Sequence, residues 1–420
     1  MSDKFIINGN NALEGEIEVR GSKNAAAPIL AAVLLTKEEC IIDNLPLIED
    51  IKHIISVLKS LGVTVENLGE RKVKFKAENI NTDNLDFESF SKTRMSVLLI
   101  GSLLGRFNQF KFPSPGGDRI GLRPINLHIK SLKKLGAQLD RKGDYYESSR
   151  KELIGKEIVL DEFSVTATEA LMMSACLAKG KTVIKGAAAE PHVEDLARML
   201  IKMGAKISGQ GTHTITIEGV EELHGAEHTV VPDYLEAGTF IVAGALTPGK
   251  VTIKNVDHSH LDLFLAKLEE IGVEMERGDN QITVSYSPHL ASTKIQALPH
   301  PGFPTDLLPI IIPLLIKAQG KSLIHDPLYE NRLNYLHELR KMGADIEIVD
   351  PHRAFVFGPK NLYGTTVSSS DVRAGACLIV AGLIAEGTTT VENVYQIDRG
   401  YEKIEERLQK LGADIKRVSA

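Results

Sequence analysis

The sequence predicts an α/β protein built from six copies of one unit, and three observations carry that expectation. One phrase, the end of an amphipathic helix running into glycine and then into an alternating stretch, is written six times along 420 residues. An apolar helix rich in Ala, Leu and Ile precedes the phrase, and a short strand-like segment lies between the two. No unit has enough residues to enclose a core alone, so the six must pack on one another.

The six phrases are LKSLGVTVE (58–66), LKKLGAQLD (132–140), LIKMGAKIS (200–208), KLEEIGVEM (267–275), LRKMGADIE (339–347) and LQKLGADIK (408–416). Their glycines, Gly62, Gly136, Gly204, Gly272, Gly343 and Gly412, are separated by steps of 74, 68, 68, 71 and 69. Each follows the last apolar helical position, where a left-handed cap is needed before a strand begins. Upstream, Gly180-Lys181, Gly249-Lys250, Gly320-Lys321 and Gly387-Thr388 each introduce an alternating strand, TVIKG, VTIKN, SLIHD and TTVEN. A period this long is outside the range of the common helical solenoids, and apolar helices of this kind are enclosed by sheets. An even division of six places a boundary after the third unit, near 228–233, with one continuous array as the alternative.

The apolar helices open at Lys23-Asn24, Arg94, Thr166 to Glu169, Glu236, Asp306 and Asp371 to Arg373. Counted back from the glycine of its own unit, Lys23, Arg94, Thr168, Glu236, Asp306 and Arg373 stand 39, 42, 36, 36, 37 and 39 residues upstream, so one slot in every unit is polar. Helix N-termini carry partial positive charge, and six of them facing one cleft would make an anion site reinforced by Lys23, Arg94 and Arg373. For Glu236, Thr168 and Asp371 plain helix capping is an equal explanation. A cation opposes the dipole at a helix start unless an anion or a carboxylate joins it, which favours a ligand role for Lys23, Arg94 and Arg373.

Composition narrows the function further. Hydrophobic residues are 43% and charged residues 25%, which excludes a disordered or fibrous chain. Forty-nine Lys plus Arg against 55 Asp plus Glu give a net charge of −6, without the basic footprint of a nucleic-acid coat. Cys40, Cys176 and Cys377 form no CxxC pair and read as buried free thiols of a reducing compartment. With no signal peptide and no apolar run long enough to span a membrane, 307–316 reaching only ten residues, a cytoplasmic protein without membrane or obligate protein partner is expected. The 13 histidines show no metal spacing, so neither metal nor cofactor is expected.

An insertion in the second unit, PSPGGDRIGLRP (113–124), combines Pro113, Pro115, Gly116 and Gly117 with Asp118, Arg119 and Arg123. The prolines and glycines disfavour helix and strand, and a charged lid over a cleft or a solvated loop are the two readings. It is not a P-loop, since it lacks the Gly-Lys-Ser/Thr ending. Arg399 in DRGYEKI (398–404) and Arg332 in ENR (330–332) both fall on turns before a helix.

These residues carry a resemblance. GSKNAAAPIL (21–30), PGGDRIGLRPINLHI (115–129), FPTD (303–306), ENR, SDVRAGACLIVAG (370–382) and DRGYEKI together are similar to the enolpyruvyl transferases, and among them to those acting on UDP-N-acetylglucosamine, from about residue 4 to about 417. The resemblance implies two inside-out α/β barrel domains, each of three βαβαββ repeats with pseudo-threefold symmetry. It places residues 23–230 in one domain, with a mobile loop at 113–121, and residues 1–22 plus 231–420 in the other, with the active site in the cleft between them. The implied reaction moves the enolpyruvyl group of phosphoenolpyruvate to the 3′-hydroxyl of UDP-N-acetylglucosamine and releases phosphate through a tetrahedral intermediate. That is the committed step of peptidoglycan precursor synthesis, hence of cell wall biogenesis, cell shape and division.

By the same resemblance Lys23, Asn24, Arg123 and Arg399 grip phosphoenolpyruvate, with Arg373 beside them. Arg94, Arg123, Pro124, Ile125, Asn126, Leu127, Glu162, Phe163, Ser164, Val165, Asp306 and Leu328 correspond to nucleotide-sugar contacts. The catalytic set is Asp118, Asp306, Lys23 and Arg399, with Asp306 as the base near the sugar hydroxyl. The chain departs from the family at Asp118, where most members carry the Cys that acts as general acid and is the target of fosfomycin. Asp donates a proton there only if its pKa is raised, and it resists alkylation by the antibiotic. Glu162 stands where the family often has Lys. Transfer to shikimate 3-phosphate, or a non-catalytic UDP-sugar-binding paralogue, are the alternatives.

Overall fold

The structure, a computed structural model, describes residues 3–117 and 124–419. The chain divides into two compact units. One contains Gly21–Gly117 and the chain from beyond the undescribed loop to Val231, and the other the chain up to Arg20 and from Pro232 onward. Asp118 and Arg123, with the rest of 118–123, lie outside the described residues.

In the unit holding Gly21, three sheets are seen among the described residues. Glu39–Asp43 lies between Glu227–Thr229 and Val73–Lys76, with Thr64–Asn67 beyond. Gln109–Pro113, Tyr145–Ser149 and Gln138–Lys142 form the second sheet; Glu157–Val159, Lys181–Lys185, Thr214–Glu218 and Lys206–Ser208 form the third. Pro113, expected to stand outside any strand, is the last residue of an edge strand, a position that loses no ladder bond.

The unit holding Pro232 also shows three sheets among the described residues. Gly15–Glu18, Lys250–Lys254, Gln281–Ser285 and Met275–Gly278 form one, and Lys294–Gln296, Gly320–His325, Arg353–Gly358 and Asp345–Asp350 another. Thr366–Ser368, Thr388–Glu392, Lys4–Asn8 and Asp414–Val418 form the third. In all five four-stranded sheets one edge strand is parallel to its neighbour and the other pairings are antiparallel.

Where the chain is continuous, that parallel pair brackets an apolar helix, as Lys294–Gln296, helix Leu308–Lys317 and Gly320–His325 do. Two units of the repeat are instead completed by exchange. Gly15–Glu18 supplies the parallel strand beside Lys250–Lys254, and Glu227–Thr229 supplies the one beside Glu39–Asp43.

The helices Lys23–Ala32, Leu98–Arg106 and Val165–Ala175 sit in one core and Tyr234–Leu246, Leu308–Lys317 and Val372–Leu383 in the other, buried nearly throughout. Side chains apolar on every face leave such a helix no surface to offer water. Helices Leu98–Arg106 and Val165–Ala175 cross closely at Gly101, where an added Cβ would lie 2.4 Å from the Ala170 carbonyl oxygen.

All six repeat glycines adopt the left-handed conformation, with φ of 103°, 116°, 100°, 97°, 96° and 107° from Gly62 to Gly412. The three cysteines are buried and unpaired. Among the described residues no helix is long and apolar enough to cross a membrane.

Candidate functional site

In the unit holding Gly21, Lys23 is the first residue of its helix, with Ser22 as the cap accepting from the Ala25 amide at 3.4 Å. The Lys23 ammonium lies 2.8 Å from Asp50 Oδ2, and the side chains are only 9% and 1% exposed. A carboxylate of the protein itself therefore answers the cation that opposes the helix dipole. Asn24 follows on the same turn, half-buried.

Arg94 opens a 3-10 turn, Arg94–Val97, capped by Thr93, rather than the α-helix itself, which starts at Leu98. Its Nη2 donates to the Pro124 carbonyl at 3.3 Å, joining the two ends of the Pro/Gly insertion's surroundings. The start of that insertion rests against the same turn and the helix Phe87–Lys92 before it: a Cβ on Gly116 would lie 1.9 Å from the Ser91 carbonyl oxygen and one on Gly117 2.6 Å from Arg94 Cβ. Ile125 is buried, Leu127 is half-buried, and Pro124 and Asn126 are exposed at the start of helix Asn126–Leu135.

Glu162 is exposed, and Phe163, 56% exposed, stands edge-on to His213 with ring centroids 5.3 Å apart. Ser164 caps helix Val165–Ala175 by accepting from the Ala167 amide at 3.3 Å. Thr168, expected at the helix start, lies a turn further in. Its hydroxyl donates to the Ser164 carbonyl at 2.9 Å and accepts from the Ala188 amide at 3.0 Å.

In the unit holding Pro232, Asp306 lies on the 3-10 turn Thr305–Leu307 that leads into helix Leu308–Lys317. Arg332 Nη2 reaches Asp306 Oδ1 at 2.6 Å and the Thr305 carbonyl at 3.2 Å, while Arg373 Nε is 3.4 Å from Oδ2. Both arginines are 3% exposed. Burial alone would ease their deprotonation, but Asp306, Asp371 and Asp326 around Arg332, and Tyr401, Asp306 and Asp233 around Arg373, raise both proton affinities above the ordinary arginine value. Both stay charged.

Among the described residues, Arg332 Nε and Arg373 Nη1 find no hydrogen-bond partner, nor does the buried Tyr335 hydroxyl. Buried donors left unmade are costly, and two unused guanidinium donors are suited to an anion. Asp371 caps helix Val372–Leu383, accepting from the amides of Arg373 and Ala374 at 3.0 Å each. Glu236 is not a cap. That role is Asp233's, and Glu236 pairs with the buried Arg407 at 2.7 Å. Leu328 is exposed, its amide bonded to Asp326 at 2.9 Å. Arg399 ends the short helix Tyr395–Asp398, 4% exposed, with Nη1 on Gln396 at 2.8 Å.

Three groups escaped the sequence reading of the site. Asp50 lies in line with Ile54, Val57, Leu58 and Leu61 on the buried stripe of its amphipathic helix, and an acid on such a stripe is the signal for a buried partner. Arg332, read only as a turn residue, heads the buried positions Tyr335, Leu336 and Leu339 in the same way. Glu169, read only as the end of the polar helix opening 166–169, is fully buried, with neither carboxyl oxygen hydrogen-bonded among the described residues. Burial, and secondarily the charge of Glu190, push its carboxyl well above the usual range. Among the described residues no group of three or more His, Cys, Asp or Glu could hold a metal ion.

Comparison with known proteins matches residues 7–408 to the family described as EPSP synthase (3-phosphoshikimate 1-carboxyvinyltransferase). The chain is 45% identical over 409 residues to the UDP-N-acetylglucosamine 1-carboxyvinyltransferase of Finegoldia magna, covering 97% of this chain and 96% of that one. With the enzyme of the same name from Koribacter versatilis it shares 44% over 419 residues, 99% and 96% of the two chains. Among solved structures, the enolpyruvyl transferase NikO from Streptomyces tendae superposes with a TM-score of 0.91 at 23% identity, over 100% of this chain and 99% of that one. An EPSP synthase from Acinetobacter baumannii gives 0.74 at 19%, over 99% and 100%. These two structures establish the mixed α/β fold. The chain belongs to the enolpyruvyl transferase family, with the UDP-N-acetylglucosamine 1-carboxyvinyltransferases as its relatives at 42 to 45% identity.

Proposed function

We propose that this chain transfers the enolpyruvyl group of phosphoenolpyruvate to the 3′-hydroxyl of UDP-N-acetylglucosamine, with release of phosphate, as the committed step of peptidoglycan precursor synthesis in the cytoplasm. The observation that carries this is identity of 45% over 97% of the chain to an enzyme named for that reaction. Transfer to shikimate 3-phosphate is less well supported, because the EPSP synthase structures share only 19 to 21% identity. Strand exchange and six repeats support the finer architecture, two inside-out barrels of three βαβαββ repeats, one spanning 23–230 and the other 1–22 with 231–420.

The chemistry asks for fixed cations, a proton donor and a base. Phosphoenolpyruvate brings a phosphate and a carboxylate, for which we assign Lys23, Asn24, Arg123, Arg373 and Arg399. The nucleotide sugar is assigned to Arg94, Arg123 to Leu127, Glu162 to Val165, Asp306 and Leu328. Addition across the enol phosphate double bond delivers a proton to the methylene carbon as the sugar oxygen attacks the adjacent carbon, and the hydroxyl proton leaves to a base.

Asp118 supplies the first proton and Asp306 takes the second. Elimination then removes a proton from the resulting methyl group, expels phosphate from the adjacent carbon and restores the double bond. Preorganised cations stabilise the tetrahedral state, and the unused donors of Arg332 and Arg373 support anion binding beside Asp306.

With Asp118 in place of the family's Cys, the enzyme is resistant to covalent capture by fosfomycin. Mass spectrometry of the product tests the reaction: an enolpyruvyl ether of UDP-N-acetylglucosamine is expected, and its absence with both substrates present would favour the non-catalytic UDP-sugar-binding alternative. A fosfomycin adduct on the intact protein would overturn the resistance.

A further inference from the structure

The segment DRGYEKIE (398–405) is fastened at both ends by one guanidinium from the edge strand Asp414–Val418. Arg417 donates from Nη1 and Nη2 to the two oxygens of Asp398 at 2.8 and 2.6 Å, and from Nε to Glu405 Oε1 at 2.6 Å. Nη1 also reaches Asp3 Oδ2 at 3.3 Å. Phe5, the register partner of Arg417 on strand Lys4–Asn8, places its ring centroid 5.0 Å from the guanidinium carbon. Strand pairing, a cation–π contact and three carboxylates thus fix the position of this fork.

Between the two fastened residues the chain carries Arg399 and Tyr401. Tyr401 is buried, shares a 2.7 Å hydrogen bond with the Thr239 hydroxyl and lies 5.3 Å beneath Arg373. Lys403, at φ 42° and ψ 50°, is in the left-handed region without being glycine, a conformation that persists only where the surroundings impose it. Glu405, 6% exposed, is held by Arg417 twelve residues later. Asp398 immediately precedes Arg399, so displacing its carboxylate displaces the arginine.

We infer that Arg417 is a positioning residue for phosphoenolpyruvate binding: it clamps Asp398 and Glu405 at the two ends of the turn that presents Arg399. This rests on the assignment of Arg399 as a phosphoenolpyruvate ligand. Lysine cannot replace the fork, because one ammonium cannot hold Asp398 through two parallel bonds and Glu405 through a third. A purely structural Arg417 would fasten the C-terminal strand and affect both substrates alike.

The test is steady-state kinetics of the full-length chain with each substrate varied in turn, on Arg417→Lys, Glu405→Gln and Arg399→Gln, with a thermal melt of each. Arg417→Lys is expected to raise KM for phosphoenolpyruvate about tenfold or more, the scale of loss when a supporting shell is loosened. KM for UDP-N-acetylglucosamine is expected to stay within about twofold, and Glu405→Gln to move in the same direction by less.

An unchanged phosphoenolpyruvate KM, or an equal rise for both substrates, in folded Arg417→Lys overturns the inference. If that variant does not fold, Glu405→Gln decides on the same criterion. A normal phosphoenolpyruvate KM in Arg399→Gln would instead overturn the assignment beneath it, whereas a raised one beside normal Arg417 and Glu405 variants refutes the positioning role alone.

Discussion

Arg332 donates to Asp306 across 2.6 Å from a side chain only 3% exposed, and the carboxylate it holds is the one assigned to take the sugar-hydroxyl proton. With Arg373 on the other oxygen, Asp306 is oriented before substrate arrives. A base fixed in this way loses little entropy at the moment of reaction.

Asp306→Asn removes the base while keeping the side chain's shape. Turnover is expected to fall about 100- to 10,000-fold, the range general-base catalysis supplies. Two buried guanidiniums also lose a carboxylate, so the variant is expected to be less stable by about 2 kcal/mol, read by chemical denaturation. Wild-type turnover would remove Asp306 from the mechanism.

The Lys23–Asp50 pair predicts a non-additive double-mutant cycle. Asp50→Leu leaves a buried ammonium without its carboxylate and is expected to cost about 3 kcal/mol. Lys23→Met combined with Asp50→Leu removes both charges and is expected to be milder than Asp50→Leu alone, by denaturant unfolding. Additive losses would show that the pair is not coupled.

Glu169 gives a pH dependence whose sign follows from its raised pKa. The unfolded chain loses this proton near the ordinary glutamate value of 4.5, but the folded protein retains it to higher pH. Between those two values the folded state binds more protons, so stability falls as pH rises, at about 1.4 kcal/mol per pH unit for this group. Glu169→Gln is therefore expected to be more stable than the wild type at pH 7 and to lose that advantage toward pH 4. Thermal melts at the two pH values check it, and a constant difference would contradict the buried neutral carboxyl.

Gly412 and Gly387 separate backbone conformation from crowding. Both have positive φ, 107° and 85°, but a Cβ on Gly412 would lie 2.7 Å from the Ala12 carbonyl oxygen, whereas one on Gly387 meets nothing within 4 Å. Gly387→Ala is expected to lose about 1 kcal/mol from conformation alone, and Gly412→Ala clearly more, by equilibrium unfolding. Equal losses would mean the close approach relaxes freely.

The repeat was readable in the sequence because a left-handed glycine after a helix is a local requirement, met at all six positions. The helix starts were readable only to within a turn. Ser164 and Asp233 are the caps, while the more conspicuous Thr168 and Glu236 serve tertiary contacts.

The partners of Lys23 and Asp306 stayed hidden for a different reason. Asp50 and Arg332 belong to other helices or turns, and only packing decides which buried charge meets which. Their burial was foreshadowed by a charge on an apolar stripe; their pairing was not. Strand exchange was hidden too, since the strands 15–18 and 227–229 join repeats from which the intervening chain separates them.

The most direct test of the account is phosphate release from phosphoenolpyruvate with UDP-N-acetylglucosamine or shikimate 3-phosphate as acceptor, comparing the wild type with Asp118→Asn. Release with the nucleotide sugar alone, lost in the variant, is the predicted result. Release with shikimate 3-phosphate, or with neither acceptor, would contradict the proposed reaction, and full activity in Asp118→Asn would contradict the aspartate's role as proton donor.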